Sequence, residues 1–231
     1  MNEIYQRTEK LIGEEAMERL KNARVLVVGL GGVGGYVCEA LVRAGIGTVG
    51  LCDFDTVDPT NLNRQILALE STVGLYKTQV AYQRAMDINP GCKVKLFNFR
   101  LTDETLPLLD VPSWDFICDA IDDVHAKLSL IAECSVKDVP IICSMGTGNK
   151  LDPFSYRITP IEKTEVDPLA RAMRRKLKDM GIKGVPVLWS SENNLVQGIE
   201  HGNPIPSISY MPAAAGLMIA SYVIKKITGI E

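Results

Sequence analysis

The sequence predicts an α/β fold in which a mainly parallel sheet is covered by helices on both faces. Short apolar runs alternate with stretches of helical spacing over the first 150 residues. A cluster of glycines directly follows the first apolar run, which is typical of a tight connection from a strand into a helix. The 231 residues, of which 46% are hydrophobic and 23% charged, are enough to bury a sizeable core.

Most of the predicted elements lie in the first half of the chain. Runs of Val, Ile and Leu indicate buried strands, and apolar residues at intervals of three and four indicate helices. The N-terminal stretch MNEIYQRTEKLIGEEAMERL is charged and helical, and Asn89-Pro90-Gly91 ends a later helix. The predicted elements are strand 24–28, helix 32–44, strand 48–52, helix 75–88, strands 94–97 and 114–119, helix 124–137 and strand 140–144.

The alternation changes after about residue 150. The sequence predicts a strand over 154–159, a basic helix over 167–180 and a strand over 185–190. Residues 191–212 are polar and aperiodic, which is typical of a functional flap or a mobile segment. The apolar stretch PAAAGLMIASYVIKKITG is shorter than a bilayer span, so we expect a buried core helix and no membrane anchor.

Composition and charge argue against several classes of protein. The net charge of −3 offers no global positive field for nucleic acid, so any such contact must use a local patch. No two of the six cysteines form a C-x-x-C pair, which argues against a four-thiolate zinc site. Several cysteines lie inside apolar runs and are predicted to be reduced core residues. The N-terminus does not resemble a signal peptide, so we expect a cytoplasmic protein.

A glycine-rich loop is the first motif that carries chemistry. Gly29, Gly31 and Gly34 form the pattern G-x-G-x-x-G, with Gly32 between them, directly after a strand and before a helix. Glycine allows a sharp turn and a close approach of phosphate, and the helix start presents unpaired N–H groups to the anion. A turn without a ligand is the alternative, but the flanking strand and helix favour a phosphate-binding loop.

An acidic residue follows the second predicted strand. Asp53 stands where a carboxylate binds both hydroxyls of a ribose in Rossmann-like, doubly wound folds. Together with the glycine loop, it predicts an adenosine-nucleotide site. These two features alone do not distinguish NAD from ATP.

The stretch from 53 to 77 favours ATP, because it is rich in charged side chains where a hydride-transfer enzyme needs an apolar slot for nicotinamide. Arginine can clamp two phosphate oxygens and lysine can act as a point charge, so these cations could neutralise a triphosphate. A solvated loop side chain is the alternative for each residue taken alone. The residues concerned are Asp55, Asn61, Arg64, Gln65 and Lys77.

A run of acidic residues ends a later strand, in Asp119-Ala120-Ile121-Asp122-Asp123. The carboxyl edge of the strands is where ligands bind in doubly wound folds. A carboxylate at this edge is well placed to hold Mg²⁺ between phosphates.

Four segments resemble one family in their order and spacing. RVLVVGLGGVGGYVCEAL, DFDTVDPTNLNRQ, GLYK and DAIDD are similar to the adenylating domain of the ubiquitin-activating-enzyme superfamily, which includes bacterial molybdopterin- and thiamine-pathway adenylyltransferases. The resemblance covers residues 1 to about 150. It implies a nucleotide-binding domain that uses ATP and Mg²⁺ to adenylate a carboxylate.

The resemblance also implies a role for each matching residue. Asp122 would bind Mg²⁺, and Arg7 would reach into the ATP site of a partner protomer, which implies a homodimer. Asp123 and Lys127 replace the Asn and Arg of the family's DNxxxR pattern, so their roles stay open. The glycine loop would hold phosphate and Asp53 ribose, and the triphosphate would be lined by Asn61, Arg64, Gln65 and Lys77.

The second half is similar to a narrower group, the tRNA threonylcarbamoyladenosine dehydratases. The similar segments are DPLARAMRRKLKDMGIK, VPVLWSSENN and SISYMPAAAGLMIASYVIKKITG. Members that activate sulfur carriers usually have two C-x-x-C pairs, which are absent here. We therefore expect one adenylating domain over 1–231, in which 1–150 binds nucleotide and 151–231 supplies tRNA recognition and the C-terminal helix.

The implied reaction is the ATP-dependent dehydration of N6-threonylcarbamoyladenosine in tRNA. The threonyl carboxylate is adenylated, and the ureido oxygen then closes onto it to give a cyclic oxazolone and AMP. Arg64, Lys77 and Arg7, with Mg²⁺ on Asp122, would stabilise the departing diphosphate. An intramolecular attack of this kind needs no cysteine of the enzyme.

Three other functions stay open on the sequence. The first is an adenylyltransferase that activates the C-terminal glycine of a ubiquitin-like sulfur carrier. The others are an NAD-dependent dehydrogenase and a non-catalytic nucleotide-binding scaffold. A sulfur-shuttle protein is a further partner that the sequence leaves open.

The basic helix bears on this choice. Arg171, Arg174, Arg175 and Lys178 share a helical face through the spacings i, i+3, i+4 and i+7. Contact with the phosphate backbone of tRNA would explain them. A solvated helix face is the alternative.

Overall fold

The computed structural model of the chain describes residues 3–198 and 204–230. The strands in these ranges are β1 (Arg24–Val28), β2 (Thr48–Cys52), β3 (Lys93–Phe97), β4 (Phe116–Asp119), β5 (Ile141–Ser144), β6 (Tyr156–Pro160) and β7 (Pro186–Ser190). The helices are α1 (Gln6–Ile12), α2 (Glu14–Asn22), α3 (Gly34–Ala44), α4 (Lys77–Ile88), α5 (Val124–Lys137), α6 (Pro168–Asp179) and α7 (Tyr210–Thr228).

The strands form one sheet in the order β3-β2-β1-β4-β5-β7-β6. The pairs are parallel except for β6, which runs antiparallel to β7. The strand order reverses between β1 and β4, which is where doubly wound sheets open a crevice for a ligand. Val28 is in register with Cys52 and with Asp119, so three neighbouring strands end at one level. The predicted fold class is confirmed.

The central strands are buried on both faces of the sheet, as apolar strands of a parallel sheet require, whereas the edge strands β3 and β6 are partly exposed. Val25 and Val27 of β1 pack into a core with α3, α4 and α7, whereas Leu26 and Val28 pack into a second core with α5 and α6. This alternation follows from the twofold side-chain period of a strand. It explains why β1 reads as an uninterrupted apolar run.

The C-terminal helix belongs to the first of these cores. Within α7, Gly216 lies so close to α3 that an added Cβ would come within 2.5 Å of the Val33 carbonyl oxygen. Its small residues thus serve close packing, as predicted for a core helix. None of the helices in the described ranges combines the length and the apolarity that crossing a bilayer requires.

Most predicted boundaries agree with the structure to within two residues. The strand predicted over 154–159 begins two residues later, because Pro153–Ser155 forms a 3₁₀ turn that Asp152 caps. The helix predicted from residue 32 begins at Gly34, after the turn of the glycine loop. In the predicted flap 191–212, residues 199–203 lie outside the described ranges, and α7 begins at Tyr210.

Candidate nucleotide-binding site

The glycine loop joins β1 to α3 at the point where the strand order reverses. Gly29 has a φ of 88°, and an added Cβ would lie 2.7 Å from the Ala120 carbonyl oxygen at the end of β4. An added Cβ on Gly34 would lie 1.7 Å from the carbonyl oxygen of Gly29. Only glycine fits at these two positions, and the resulting cradle leaves the start of α3 open to a ligand.

The other two glycines face different neighbours. The closest contact of an added Cβ on Gly31 would be the Gln65 side-chain nitrogen, at 4.0 Å. An added Cβ on Gly32 would meet Pro212 of α7 at 2.9 Å. The loop is therefore bordered by the stretch after β2 on one side and by the C-terminal helix on the other.

Asp53 lies beside the glycine loop, where a ribose-binding carboxylate was predicted. The residue is 9% exposed. Its carboxylate accepts hydrogen bonds from the backbone N–H of Leu30 at 2.6 Å and of Asp55 at 2.8 Å. A carboxylate has about four lone-pair sites, so Asp53 keeps acceptor capacity for hydroxyl groups.

Lys77 and Arg64 are the two cations of the stretch after β2. Lys77, the first residue of α4, is largely buried, and its Nζ lies 3.0 Å from Asp55 Oδ2. Arg64 is half-buried, and its Nη1 donates to the Thr60 carbonyl and to Asn63 Oδ1, each at 2.8 Å. The Lys77–Asp55 ion pair is partly exposed and Arg64 is bonded only to neutral acceptors, so both cations keep N–H donors for an anion.

Asn61 and Gln65 are buried in the same stretch. The Asn61 side-chain oxygen accepts from the backbone N–H of Asp58, so this residue also shapes the loop. Gln65 Oε1 is buried without a hydrogen-bond partner in the described part of the chain. A buried polar atom of this kind indicates a missing hydrogen-bond partner. Because the glycine loop is its neighbour, a ligand bound at that loop could supply the partner.

The three acidic residues at the end of β4 and just after it have different environments. Asp119 is fully buried and accepts from Lys127 Nζ at 2.7 Å and from the backbone N–H of Ile121 at 3.1 Å. Asp123 caps α5 by accepting from two backbone N–H groups. Asp122 is exposed, and no described residue forms a hydrogen bond with its side chain. Of the three, Asp122 is the one whose whole carboxylate is available to a cation.

The described ranges contain no cluster of three His, Cys, Asp or Glu side chains that could hold a metal without other ligands. Magnesium bound with nucleotides does not require one, because one or two carboxylates, substrate phosphates and water complete its octahedron. Asp122 fits that kind of coordination.

Arg7 lies on α1, which precedes β1 in the chain. Its side chain is exposed, and within residues 3–198 and 204–230 it has neither an ion pair nor a hydrogen bond. No contact of Arg7 with Arg64 or Lys77 is seen among the described residues, so a place for Arg7 at the triphosphate stays a prediction.

The predicted basic face lies on α6. Ala170, Met173 and Leu177 anchor this helix in the second core. Arg174 is half-buried and donates to the Thr164 carbonyl oxygen at 2.5 Å, so it also braces the loop before the helix. The residues of the predicted patch that point into solvent are Arg171, Arg175 and Lys178.

Sequence reasoning did not identify a clasp formed by Asn149. Asn149 has a φ of 60°, and its side chain exchanges two hydrogen bonds of 2.8 Å with the backbone of Val196. Its backbone N–H donates to the Pro206 carbonyl at 2.7 Å. Both sides of the polar segment after β7 are thereby tied to the end of β5. The only signal was an Asn, which tolerates the left-handed region, in a Gly-rich turn.

All six cysteines are free and buried, as predicted. Burial raises the pKa of Cys38 and Cys52 to about 12 and that of Cys92 to about 11. Burial likewise raises the pKa of Cys118 and Cys143. The thiols are therefore inert core groups at neutral pH.

Several known proteins are similar to this chain. The tRNA threonylcarbamoyladenosine dehydratase of Bacillus subtilis is 41% identical over 235 residues, which cover 95% of this chain and 92% of that protein. The protein of the same name from Escherichia coli is 40% identical over 193 residues, covering 80% and 72%. The crystal structure of the E. coli dehydratase in complex with ATP superposes with a TM-score of 0.91 at 35% identity, covering 97% of this chain and 93% of that one.

More distant relatives include the molybdopterin-synthase adenylyltransferase of Salmonella typhimurium, which is 36% identical over 163 residues and covers 70% of this chain and 62% of that protein. The sequence profile of the ThiF family matches residues 5–231. The resemblance predicted from the four segments is confirmed, and the chain belongs to the ThiF family.

Proposed function

We propose that the protein catalyses the ATP-dependent dehydration of N6-threonylcarbamoyladenosine in tRNA to its cyclic oxazolone form. The observation that carries the proposal is the glycine cradle at the crevice between β1 and β4, which is bordered by Gln65 and Arg64 and lies beside the buried carboxylate of Asp53. The relatives of B. subtilis and E. coli, which bear the name of this activity, support the choice of substrate because the similarity extends beyond residue 150.

The nucleotide would lie across the glycine loop. Gly29, Gly31, Gly32 and Gly34 leave room for phosphate at the start of α3, and Asp53 would accept hydrogen bonds from the ribose. The unpartnered Gln65 Oε1 gives the pocket an acceptor that a bound ligand or its water can satisfy. A free carboxylate has no good leaving group, and its reaction with ATP would attach AMP, which can leave in the next step.

The cations would act on the negative charge that builds up as diphosphate leaves. Arg64 would exchange its two neutral acceptors for phosphate oxygens. Lys77 would donate to phosphate with its remaining N–H groups while Asp55 holds its ammonium group in place. Asn61 would keep the loop in shape between them. Asp122 would hold Mg²⁺, which would neutralise part of the phosphate charge.

The bond changes balance without an enzyme nucleophile. A threonyl carboxylate oxygen attacks the α-phosphorus, and the bond to diphosphate breaks. The ureido oxygen then attacks the activated carboxyl carbon, AMP leaves, and a urea proton passes to solvent. The net change in the nucleoside is the loss of one water. Since the attacking oxygen belongs to the same molecule, its effective concentration is high, and the buried thiols have no part in the step.

The substrate would be held by the second part of the chain. We propose that residues 1–150 bind nucleotide and that 151–231 contact tRNA. Arg171, Arg175 and Lys178 are exposed on one helix and would contact phosphates. Arg174 would contribute its remaining N–H donors from the bracing position beside Thr164.

A homodimer would complete the site. Arg7 is exposed on α1, as is Leu11, whose 84% exposure a second protomer would reduce. In such a dimer Arg7 would reach the triphosphate of the partner's site. A sulfur-shuttle partner and the cytoplasmic location stay predictions.

One assay separates this function from its main alternative. Purified protein is incubated with ATP and either tRNA carrying threonylcarbamoyladenosine or a sulfur carrier ending in two glycines. We expect diphosphate release, and loss of one water from the nucleoside by mass spectrometry, only with tRNA. Release with the carrier protein alone would favour the adenylyltransferase. Protection from thermal unfolding by NAD and not by ATP would favour the dehydrogenase.

A further inference from the structure

Phe154 is the most exposed large apolar residue in the described ranges, with 94% of its surface open to solvent. It lies in the 3₁₀ turn Pro153–Ser155, directly before β6. Neighbouring Leu151 is 51% exposed. An exposed aromatic ring in a fixed position can bind a flat partner at a low cost in entropy.

The turn that carries Phe154 is held by several hydrogen bonds. The Asp152 side chain accepts from the backbone N–H of Phe154 at 2.9 Å, and Ser155 Oγ donates to the Asp152 carbonyl at 2.6 Å. The Glu192 carboxylate accepts from the backbone N–H of Leu151 at 3.0 Å and of Asp152 at 2.9 Å. The ring is therefore presented on a braced backbone and not on a loose loop.

The turn lies at the edge of the sheet that carries the nucleotide site. Because β6 is antiparallel, its first residue stands at the level of the last residue of β7, as the pair Tyr156–Ser190 shows. The Leu151 carbonyl accepts from Tyr210 Oη at 3.0 Å, and two residues further along α7 Pro212 contacts Gly32. A short chain of contacts thus joins the Phe154 turn to the glycine loop.

Basic residues flank the same turn. Asp167, which caps α6, is close enough to Lys150 for their charges to interact, so the first turn of α6 adjoins the segment that leads to Phe154. Arg171 lies in this first turn, since its N–H donates to the Asp167 carbonyl. Arg157, three residues after Phe154, is also exposed. An exposed aromatic ring on a segment that also carries exposed arginines suits single-stranded nucleic acid, in which phosphates alternate with unstacked bases.

We propose that Phe154 stacks on a base of the single-stranded tRNA loop that carries the modified adenosine, and so positions that loop over the nucleotide site. The inference rests on the proposed dehydratase function. Stacking would hold the loop independently of base identity, while Arg171 and its neighbours hold the phosphates.

The test compares Phe154→Ala and Phe154→Trp with the wild-type enzyme in steady-state dehydration of tRNA. We expect Phe154→Ala to raise the KM for tRNA about tenfold, the usual loss for one stacked base. Phe154→Trp keeps an aromatic face, so its KM should stay within about twofold of the wild-type value. The affinity for ATP should stay unchanged in both. The slope of log Kd against log salt should also stay unchanged, because no phosphate contact is removed.

Val136→Ala is the matched control, since Val136 is 77% exposed at the far end of α5. An unchanged KM in Phe154→Ala would overturn the proposal. A Phe154→Ala enzyme that loses its dimeric state in sedimentation would also overturn it, because the ring would then be covered by a second copy. Failure of the wild-type enzyme to dehydrate tRNA would instead contradict the proposed function.

Discussion

Lys127 Nζ lies 2.7 Å from Asp119 Oδ2, and both side chains are completely buried. Lys127 also donates to the Ser144 carbonyl at 3.1 Å. The pair connects β4, α5 and β5 beneath the loop that carries Asp122. Because Lys127 already compensates the charge of Asp119, the pair favours Asp122 over Asp119 as the proposed cation ligand.

Removing one partner of this pair should destabilise the protein strongly. We expect Lys127→Met to lower the free energy of unfolding by about 3–5 kcal/mol, because Asp119 would be left as an uncompensated buried charge. Asp119→Asn combined with Lys127→Met should recover most of the loss, since Asn keeps an acceptor for Ile121. Urea denaturation gives the free energy of unfolding of the wild-type protein, of Lys127→Met and of the double variant. Wild-type stability in Lys127→Met would show that the pair makes no net contribution.

Asp122 should matter for chemistry and not for folding. We expect Asp122→Asn to reduce diphosphate release by roughly 10²–10³-fold, the usual cost of losing one electrostatic stabiliser of a transition state. The midpoint temperature of thermal unfolding of Asp122→Asn should equal that of the wild-type protein, because Asp122 is exposed. Glu70→Gln, another exposed acidic residue, is the matched control. Full activity of Asp122→Asn would rule out the magnesium role.

The trans role of Arg7 can be tested by complementation. Arg7→Ala and Arg64→Ala should each be inactive, since each removes a cation from every site of a dimer. In a remixed sample, random pairing would restore roughly a quarter of the wild-type activity, because half the dimers would hold one intact site. No recovery after verified subunit exchange would mean that Arg7 acts within its own chain or not at all.

The basic face of α6 should control the salt dependence of tRNA binding. We expect Arg171→Glu, Arg175→Glu and Lys178→Glu each to weaken binding and to reduce the slope of log Kd against log salt by about 1. Arg174→Met should also lower stability, because Arg174 braces Thr164. Filter binding at several salt concentrations provides the measurement. Unaltered slopes would identify the face as simply solvated.

The buried thiols should make stability fall at high pH. A thiol has an ordinary pKa of 9.0, and burial raises the pKa of Cys38 to about 12. The folded state therefore holds its protons longer than the unfolded state. Full stability is expected below pH 9, with a progressive loss as the pH rises towards 12. Urea denaturation between pH 8 and 11, at roughly unit steps, tests the trend.

A variant provides the control for this trend. Cys38→Ala removes one of the titrating thiols, so its pH dependence should be shallower than that of the wild-type protein. Native protein at pH 8 should also resist alkylation until it is unfolded, as expected of thiols held in the neutral form. Rapid labelling of the folded enzyme would contradict the assigned burial.

The parts of the fold that local chemistry determines could be predicted from the sequence. β1 and β2 were predicted with their observed ends, because each is an apolar run closed by Gly29 or by Asp53. The start of β6 was placed two residues early, because the 3₁₀ turn capped by Asp152 precedes it, and the residues before that turn are held by Glu192, which is about 40 residues away in the chain. Pattern alone also could not rank the acidic residues at the end of β4, since the partner of Asp119 comes from the next helix.

Pro212 of α7 lies so close to Gly32 that an added Cβ on this glycine would meet it at 2.9 Å. The C-terminal helix thus forms part of the wall of the glycine loop. Cutting the gene at residue 150 would therefore not yield an independent nucleotide-binding module. It would strip α7 from α3 and open one flank of the phosphate cradle. We therefore expect the first 150 residues to fold and to bind nucleotide only together with the rest of the chain.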